Sequence, residues 1–133
     1  MKTLTALLIV FFALQLYSCQ KDNNNSTTNK KINSASLLGD WKLAGNYLSS
    51  GGPQYFVPSQ DNSTVTFNTN GSLSGTAFPT FNKYTLIDSV TIKLTRSGSE
   101  YATYLYNIKE DTLRMSPIAP SMCIEGCSIV FVK

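Results

Sequence analysis

The chain has 133 residues, of which only 14% are charged, and its formal net charge at pH 7 is +3. The Lys and Arg residues are scattered, so this small positive excess gives no basic patch of the kind that binds nucleic acid. There is no His, which removes the most common general base and the most common metal ligand. We therefore expect no nucleic acid partner and no histidine-dependent active site.

The first 18 residues have the pattern of a secretory signal peptide. Lys2 gives a positively charged start, and an almost wholly apolar run follows up to Leu16. The run is too short for a membrane-spanning helix, which needs about 20 apolar residues. A small residue, Ser18, precedes Cys19 at the expected cleavage point. The sequence therefore predicts that residues 1–18 are removed.

The residues LYSC at 16–19 resemble the lipobox of bacterial lipoproteins, in which a small residue precedes a Cys. This resemblance implies that Cys19 is lipidated, becomes the N-terminus after cleavage and is acylated there. Several acyl chains hold a protein on a bilayer where a single chain barely does. We expect a lipid anchor in the outer membrane, on its periplasmic face or at the cell surface. A free thiol in an uncleaved anchor and cleavage nearby by ordinary signal peptidase are the alternatives.

Residues 19–33 are predicted to form a disordered tether. After Cys19 the sequence reads QKDNNNSTTNKKIN, with no aromatic residue and no apolar periodicity. Such a segment cannot bury enough surface to offset the entropy cost of becoming ordered. Fourteen flexible residues have a root-mean-square reach of about 20 Å. We expect the tether to lift the following domain, residues 34–133, clear of the lipid headgroups.

From Leu37 onward, apolar residues alternate with polar ones, which is the period of half-buried β-strands. In the first predicted strand Trp41, Leu43 and Tyr47 have the same parity, so we expect them to share a face. At most one helical turn, within residues 34–39, precedes this strand. The sequence therefore predicts that the folded domain begins with a strand that turns Trp41 towards the core.

Later segments repeat this alternation at spacings typical of a sandwich or barrel. Asn70 and Gly71 mark a tight hairpin, because both residue types tolerate positive φ. Short links favour an up-and-down order, and closure of the sheet removes exposed strand edges. We predict an all-β fold, a small antiparallel up-and-down barrel of about eight strands. The later predicted strands are centred on 64–68, Leu73, 81–87, 90–95, 104–108, 113–115 and 129–132.

The segment LLGDWKLAGNYLSSGG at 37–52 and the final SMCIEGCSIVFVK resemble the small lipocalin-like lipoproteins of the Bacteroidetes. The resemblance covers the whole predicted domain, with Gly39 and Trp41 as its Gly-x-Trp signature. It implies an eight-stranded lipocalin-like barrel that is a binding or interaction module with no assigned ligand. In lipocalins an Arg covers this Trp; the chain has no clear match for it, and Arg114 is the nearest candidate.

Six aromatic residues are candidates for a ligand site. Three are tyrosines, which could line the barrel mouth or pack in the core with their hydroxyls at the rim. Three are phenylalanines in Pro-containing segments, where loop residues either bind or cover the barrel end. Because the predicted strands are short, we expect side chains to fill most of the interior. The six candidates are Tyr47, Phe56, Phe78, Phe81, Tyr104 and Tyr106.

The CIEGC segment contains the two cysteines that remain after Cys19. An even number of cysteines in an exported protein indicates a disulfide. A structural zinc site wants four ligands, and a catalytic redox pair usually has two intervening residues. We predict a Cys123–Cys127 disulfide, closed by a turn at Gly126, that holds Ile129 and Phe131 in register.

The sequence contains no pattern that predicts a catalytic site. The acidic residues are scattered, mostly in predicted turns, with no recognisable carboxylate pair. The segment SSGGP at 49–53 precedes no predicted helix, so it is not a phosphate-binding loop. We expect a protein that is not an enzyme and that uses no cofactor and no metal.

The expected partners are the membrane, through the N-terminal lipid, and either a small hydrophobic ligand or an envelope protein. The alternative function is that of a structural or accessory subunit of an envelope complex, with no ligand of its own. Two tripeptides, DSV at 88–90 and DTL at 111–113, resemble the O-glycosylation acceptor of the Bacteroidetes. Ser89 and Thr112 are therefore candidate glycosylation sites.

Overall fold

The computed structural model describes residues 34–96 and 98–133. The predicted signal peptide, Cys19 and the predicted tether lie outside the described residues. Nothing helical within those two ranges has the length and apolar character of a membrane span. In the described residues one helical turn precedes nine strands of a single antiparallel sheet. The elements are α1 (Ser34–Leu37), β1 (Gly39–Leu48), β2 (Tyr55–Pro58), β3 (Thr64–Phe67), β4 (Leu73–Gly75), β5 (Lys83–Leu86), β6 (Thr91–Thr95), β7 (Tyr101–Lys109), β8 (Thr112–Ala119) and β9 (Ser128–Val132).

The strands form an up-and-down barrel in the order β4-β3-β1-β9-β8-β7-β6-β5. Both β2 and β3 pair with β1, the former along its C-terminal half and the latter along its N-terminal half. They are therefore two parts of one interrupted strand, which leaves eight positions around the barrel. A bridge between Ser72 and Lys83, and a hydrogen bond from Leu73 N–H to Asn82 O (2.9 Å), join β4 to β5. The predicted eight-stranded up-and-down barrel is confirmed.

The barrel interior holds a contiguous cluster of apolar side chains from alternating strand positions. The β4–β5 loop adds Phe78, whose ring centroid lies 5.7 Å from that of Tyr104 and 5.8 Å from that of Phe131. Side chains from the strands and from this loop thus occupy the barrel interior. The buried members are Leu37, Trp41, Val65, Phe67, Leu73, Phe78, Ile92, Leu94, Tyr106, Leu113, Met115 and Phe131.

Trp41 closes the end of the barrel at which α1 lies. It heads the fully buried side chains by volume and is 1% exposed. Its Nε1–H donates a hydrogen bond of 2.7 Å to the carbonyl oxygen of Leu37, the last residue of α1. Leu37 is itself buried in the core. The indole therefore fills the core and also fastens the helical turn to the barrel.

The cation that covers Trp41 is Lys133 and not Arg114, the nearest candidate in the sequence. The Lys133 Nζ atom lies 4.6 Å from the centroid of the Trp41 ring. It also donates hydrogen bonds to the carbonyl oxygens of Ser36 (3.1 Å) and Leu38 (3.0 Å). Lys side chains commonly hydrogen-bond the last carbonyl oxygens of a helical segment, and here they tie Lys133, the residue after β9, to the end of α1. Arg114 instead lies on the outer face of the barrel, as described below.

A β-bulge in β1 corrects the prediction for Tyr47. Leu43 pairs with Phe131, whereas Gly45, two residues further on, pairs with Val130, the adjacent residue of β9. One residue of β1 is therefore extra, and such a shift exchanges the two faces of a strand. Tyr47 consequently points away from the core, opposite to the side that Leu43 faces. The expectation that the two residues share a face is wrong for this reason.

The disulfide predicted from CIEGC is confirmed by the position of the two sulfur atoms. Cys123 and Cys127 lie at disulfide distance, with their Cα atoms 5.7 Å apart. Gly126 supplies a φ of +80°, a conformation that other residues adopt only with strain. The loop leads directly into β9, in which Phe131 faces the core and is fully buried. The bridge therefore closes the turn that sets the start of the last strand.

Candidate functional site

The six aromatic candidates divide between the interior and the outer face. Tyr47 and Phe56 lie on the outer face, with their ring centroids 5.2 Å apart. The other four serve the core, so the structure gives them a packing role. The residues in the interior are Phe78, Phe81, Tyr104 and Tyr106.

The interior tyrosines have hydroxyls that stay protonated well above neutral pH. Burial raises the pKa of Tyr104 and that of Tyr106, and the negative charge of Asp88 raises the pKa of Tyr106 further. Burial also raises the pKa of Tyr84, whose hydroxyl donates a hydrogen bond of 2.7 Å to Asn68 O. At neutral pH these phenols are therefore neutral groups packed against the core.

A cleft of about 410 Å³ lies on the outer face across β7, β8, β9 and β1. Val130 and Val132 of β9 line it, and Val130 is only 7% exposed although it points away from the barrel core. Phe56, from β2, and Tyr47 supply its aromatic side. The lining residues are Ala44, Tyr47, Phe56, Asn107, Lys109, Thr112, Arg114, Val130 and Val132.

Strand register brings the cleft residues together. Alternate residues of neighbouring antiparallel strands lie side by side on one face of a sheet. On β7, β8 and β9 this gives two adjacent rows that run across the three strands. The rows are Asn107–Arg114–Val130 and Lys109–Thr112–Val132.

Gly45 makes room for the aromatic side of the cleft. A Cβ atom at this position would lie 2.7 Å from Cζ of Phe56 and 2.9 Å from Cα of Pro58. Real side chains do not approach so closely, so a larger residue would displace the Phe56 ring or the β2 backbone. The missing side chain therefore allows Phe56 to lie over β1, beside Tyr47.

Arg114 is held in one orientation by contacts on three sides. Its Cζ atom lies 4.4 Å from the centroid of the Tyr47 ring. Its Nε–H donates to Ser128 Oγ (2.6 Å), and Nη2 donates to Gln54 Oε1 (2.7 Å). Gln54 in turn donates through Nε2 to the carbonyl oxygen of Gly126. These bonds tie the guanidinium to the β1–β2 hairpin and to the disulfide loop.

The cleft carries positive charge without a matching carboxylate. Lys109 and Arg114 line it, and none of its lining residues is Asp or Glu. The one ion pair among the described residues joins Arg96 to Glu100 on an exposed part of the surface. Nowhere in residues 34–96 and 98–133 do three or more His, Cys, Asp or Glu residues lie close enough to hold a metal ion.

The two candidate glycosylation residues differ in accessibility. Ser89 is half-buried in the turn before β6, whereas Thr112 is exposed as the first residue of β8. Thr112 also lines the cleft. Glycosylation of either residue stays a prediction, and a glycan on Thr112 would stand at the edge of the cleft.

A second cleft, of about 380 Å³, follows the junction of β4 with β5. Its walls are mostly polar and include Asn70, Asn82 and Lys83. It lies where a single bridge joins the two strands. It has neither the aromatic pair nor the cation pair of the first cleft.

Among the cleft residues, the sequence predicted Tyr47 and Phe56 as ligand-site candidates and Thr112 only as a glycosylation candidate, and it assigned neither cation to a binding site. One signal was present in the IVFV run of the last strand. That run is apolar at outward as well as inward positions, which is unusual for a strand with one solvated face. Val130 and Val132 could thus have marked the outer surface of β9 as covered or functional.

Comparison of the chain with protein-family models gives no match, and comparison with curated proteins gives none either. The function is therefore argued from the cleft and from the sequence motifs.

Proposed function

We propose that this chain is a lipid-anchored lipoprotein of the cell envelope whose lipocalin-like barrel is a binding module. In this proposal it binds through the outer-face cleft and not through the barrel interior. The observation that carries it is a cleft of about 410 Å³ with aromatic and cationic walls, beside an interior occupied by its own side chains. Ligand sites typically measure about 300–1,000 Å³. The protein would then be no enzyme and would need no cofactor.

The anchor rests on the order of features along the chain. An apolar run ends at Cys19, a polar segment follows, and the barrel begins after α1. This order resembles that of the small lipocalin-like lipoproteins of the Bacteroidetes. The chain enters the barrel at the α1 end, whereas the β1–β2 hairpin and the disulfide loop lie at the other end of β1. A membrane anchor at Cys19 would therefore be attached at the barrel end opposite the hairpin and the disulfide loop.

Replacing Cys19 with serine should abolish lipidation, because without the thiol the thioether bond to diacylglycerol that cleavage requires cannot form. We expect the variant to keep residues 1–18 and to show no acyl mass on its N-terminal peptide. Mass spectrometry of the protein from the native envelope measures both. A variant that retains the N-terminal mass of the wild type would refute the lipid anchor.

Replacing Ala44 with phenylalanine should fill the cleft and expel its ligand. Ala44 lines the cleft from β1, and a benzyl group there would occupy space that the ligand needs. Native mass spectrometry of protein extracted from the envelope should detect a bound small molecule on the wild type and about tenfold less on the variant, a change of about 1.4 kcal/mol in binding. Leu105→Phe, on an exposed position of β7 outside the cleft, is the matched control. Equal occupancy in both variants would exclude the cleft as the site.

The second candidate function is that of an accessory subunit that binds an envelope protein and no small ligand. It is favoured by exposed apolar side chains at the barrel end opposite α1, among them Tyr55 (54% exposed) and Ile124 (91% exposed). Apolar residues grouped on a surface mark interaction sites more often than chance exposure does. A partner protein lost from the extract of an Ile124→Ser variant, with no small molecule on the wild type, would select this function.

A further inference from the structure

We infer that the outer-face cleft binds a small amphiphile, an apolar body of aromatic or alkyl type that bears one anionic group such as a carboxylate. Arg114 and Lys109 face the anion, and the aromatic pair with the β9 valines faces the apolar body. This inference rests on the proposed function, because it names the class of ligand for the same site.

The guanidinium of Arg114 has unused hydrogen-bonding capacity. An arginine carries five N–H donors in a planar fork, and the described residues accept from Nε and Nη2. Among those residues no acceptor lies on Nη1, and no carboxylate lies within ion-pair distance. A half-buried guanidinium without a counter-charge favours an anion, which a carboxylate supplies with two parallel hydrogen bonds.

The positive charge is fixed in place before any ligand arrives. The Tyr47 ring supports one face of the guanidinium, and Ser128 and Gln54 hold its edge. Ser128 is itself buried, so the packing around it holds its hydroxyl in place beside the guanidinium. Less side-chain entropy is lost on binding when the receiving group is already ordered. Lys109, exposed in the adjacent row, adds a second, mobile cation that can reach the same anion.

Most of the remaining cleft surface is apolar, which favours an amphiphile over a simple anion. Ala44, Val130 and Val132 present only hydrocarbon, and the Phe56 ring stands partly exposed beside them. An inorganic anion would leave this surface in water, and a neutral hydrophobe would leave both cations without a counter-charge. A molecule with one apolar and one anionic part satisfies both halves of the cleft.

The test uses a matched pair of probes, naphthalene-carboxylate and the neutral naphthalene-methanol. The mature lipoprotein is held in nanodiscs of phosphatidylcholine, and each probe is titrated by calorimetry with empty nanodiscs as the blank. We expect the carboxylate to bind about tenfold more tightly than the alcohol. Arg114→Gln should remove most of this preference and leave the smaller part that depends on Lys109, and raising the salt concentration should lower the ratio in the wild type.

Two further variants distinguish a loss of ligand binding from a loss of folding. Lys109→Gln removes an exposed cation that holds no other element, and we expect it to lower the ratio without changing thermal stability. Arg96→Gln removes an arginine whose ion pair with Glu100 lies outside the cleft. It should leave the ratio unchanged and serves as the matched control for Arg114→Gln.

The outcomes separate the inference from the proposed function. Equal binding of both probes, insensitive to Arg114→Gln but abolished by Ala44→Phe, would overturn the anionic class and keep the cleft as the site. Binding of both probes that is unaffected by Ala44→Phe would overturn the cleft itself, and the proposed function with it. Absence of binding by either probe would overturn the amphiphile class, and the occupancy of the extracted protein would then decide the function.

Discussion

Replacing Trp41 with alanine should lower the free energy of unfolding by about 3–5 kcal/mol, the cost typical of removing a large buried aromatic ring. Trp41 is 1% exposed, and the change would leave a cavity at the closed end of the barrel. It would also remove the hydrogen bond to Leu37 O and the ring beneath Lys133 Nζ. Because a domain is stable by only about 5–15 kcal/mol, much of the molecule's stability depends on this residue.

Urea unfolding followed by circular dichroism measures the effect, since the fluorescence of the only Trp is lost with the substitution. Trp41→Phe is the informative companion variant, because it keeps an aromatic ring and loses the indole N–H. We expect it to cost less than the alanine variant by about 1–3 kcal/mol. A cost below about 1 kcal/mol for Trp41→Ala would place the indole outside the core and argue for a contact role instead.

Replacing Gly45 with valine should cost about 3 kcal/mol, the upper part of the usual range for overpacking. The new side chain would meet Phe56 Cζ at 2.7 Å and the backbone of Pro58 at 2.9 Å. Because backbone atoms are involved, rotation of one side chain cannot relieve the clash. We expect β2 to separate from β1 and the aromatic side of the cleft to be lost with it.

The same urea titration measures this change, with Gly52→Val as the matched control. Gly52 lies in the turn between β1 and β2, and a Cβ atom there would meet nothing within 4 Å. The control should change the unfolding free energy by no more than about 0.5 kcal/mol. Similar losses for the two variants would mean that β2 does not depend on the glycine in β1.

Trp41 and the cation that covers it differ in how clearly the sequence signals them. Trp41 could be identified from the Gly-x-Trp motif and its position at the start of a strand. Its covering cation could not, because Lys133 lies more than 90 residues away in sequence, as its bond to Ser36 O shows (a separation of 97). A local pattern identifies the buried ring. The cation that covers the ring lies there only because β9, which ends just before Lys133, pairs with β1.

The two cysteines and the hairpin at Asn70-Gly71 were predictable for a local reason. Each depends on residues within five positions of one another, so chemistry and turn geometry can be judged without the rest of the fold. Between β3 and β4, Gly71 takes a φ of +79°, as expected for the turn, whereas Asn70 does not take a positive φ. Cys123 and Cys127 need only a tight turn to meet.

The sequence by itself determined the all-β class, the number of barrel strands, the burial of Trp41 and the pairing of the cysteines. The alternation of apolar and polar residues can be read from adjacent positions, because successive side chains of a strand point to opposite faces. Short links between strands then limited the order in which they could pair. These features can be predicted without knowing the strand register, because they depend on residues that are close together in the sequence.

Only the tertiary structure decided which aromatic residues face solvent and which cations stand beside them. The bulge between Leu43 and Gly45 reversed the face of Tyr47, and bulges arise where two strands must fit each other's twist. Arg114 meets Gln54 across 60 residues of sequence, a contact that exists because the register of β1, β8 and β9 aligns them. The register of a strand depends on how it pairs and packs with strands that are distant in the sequence. A local sequence pattern therefore does not determine it.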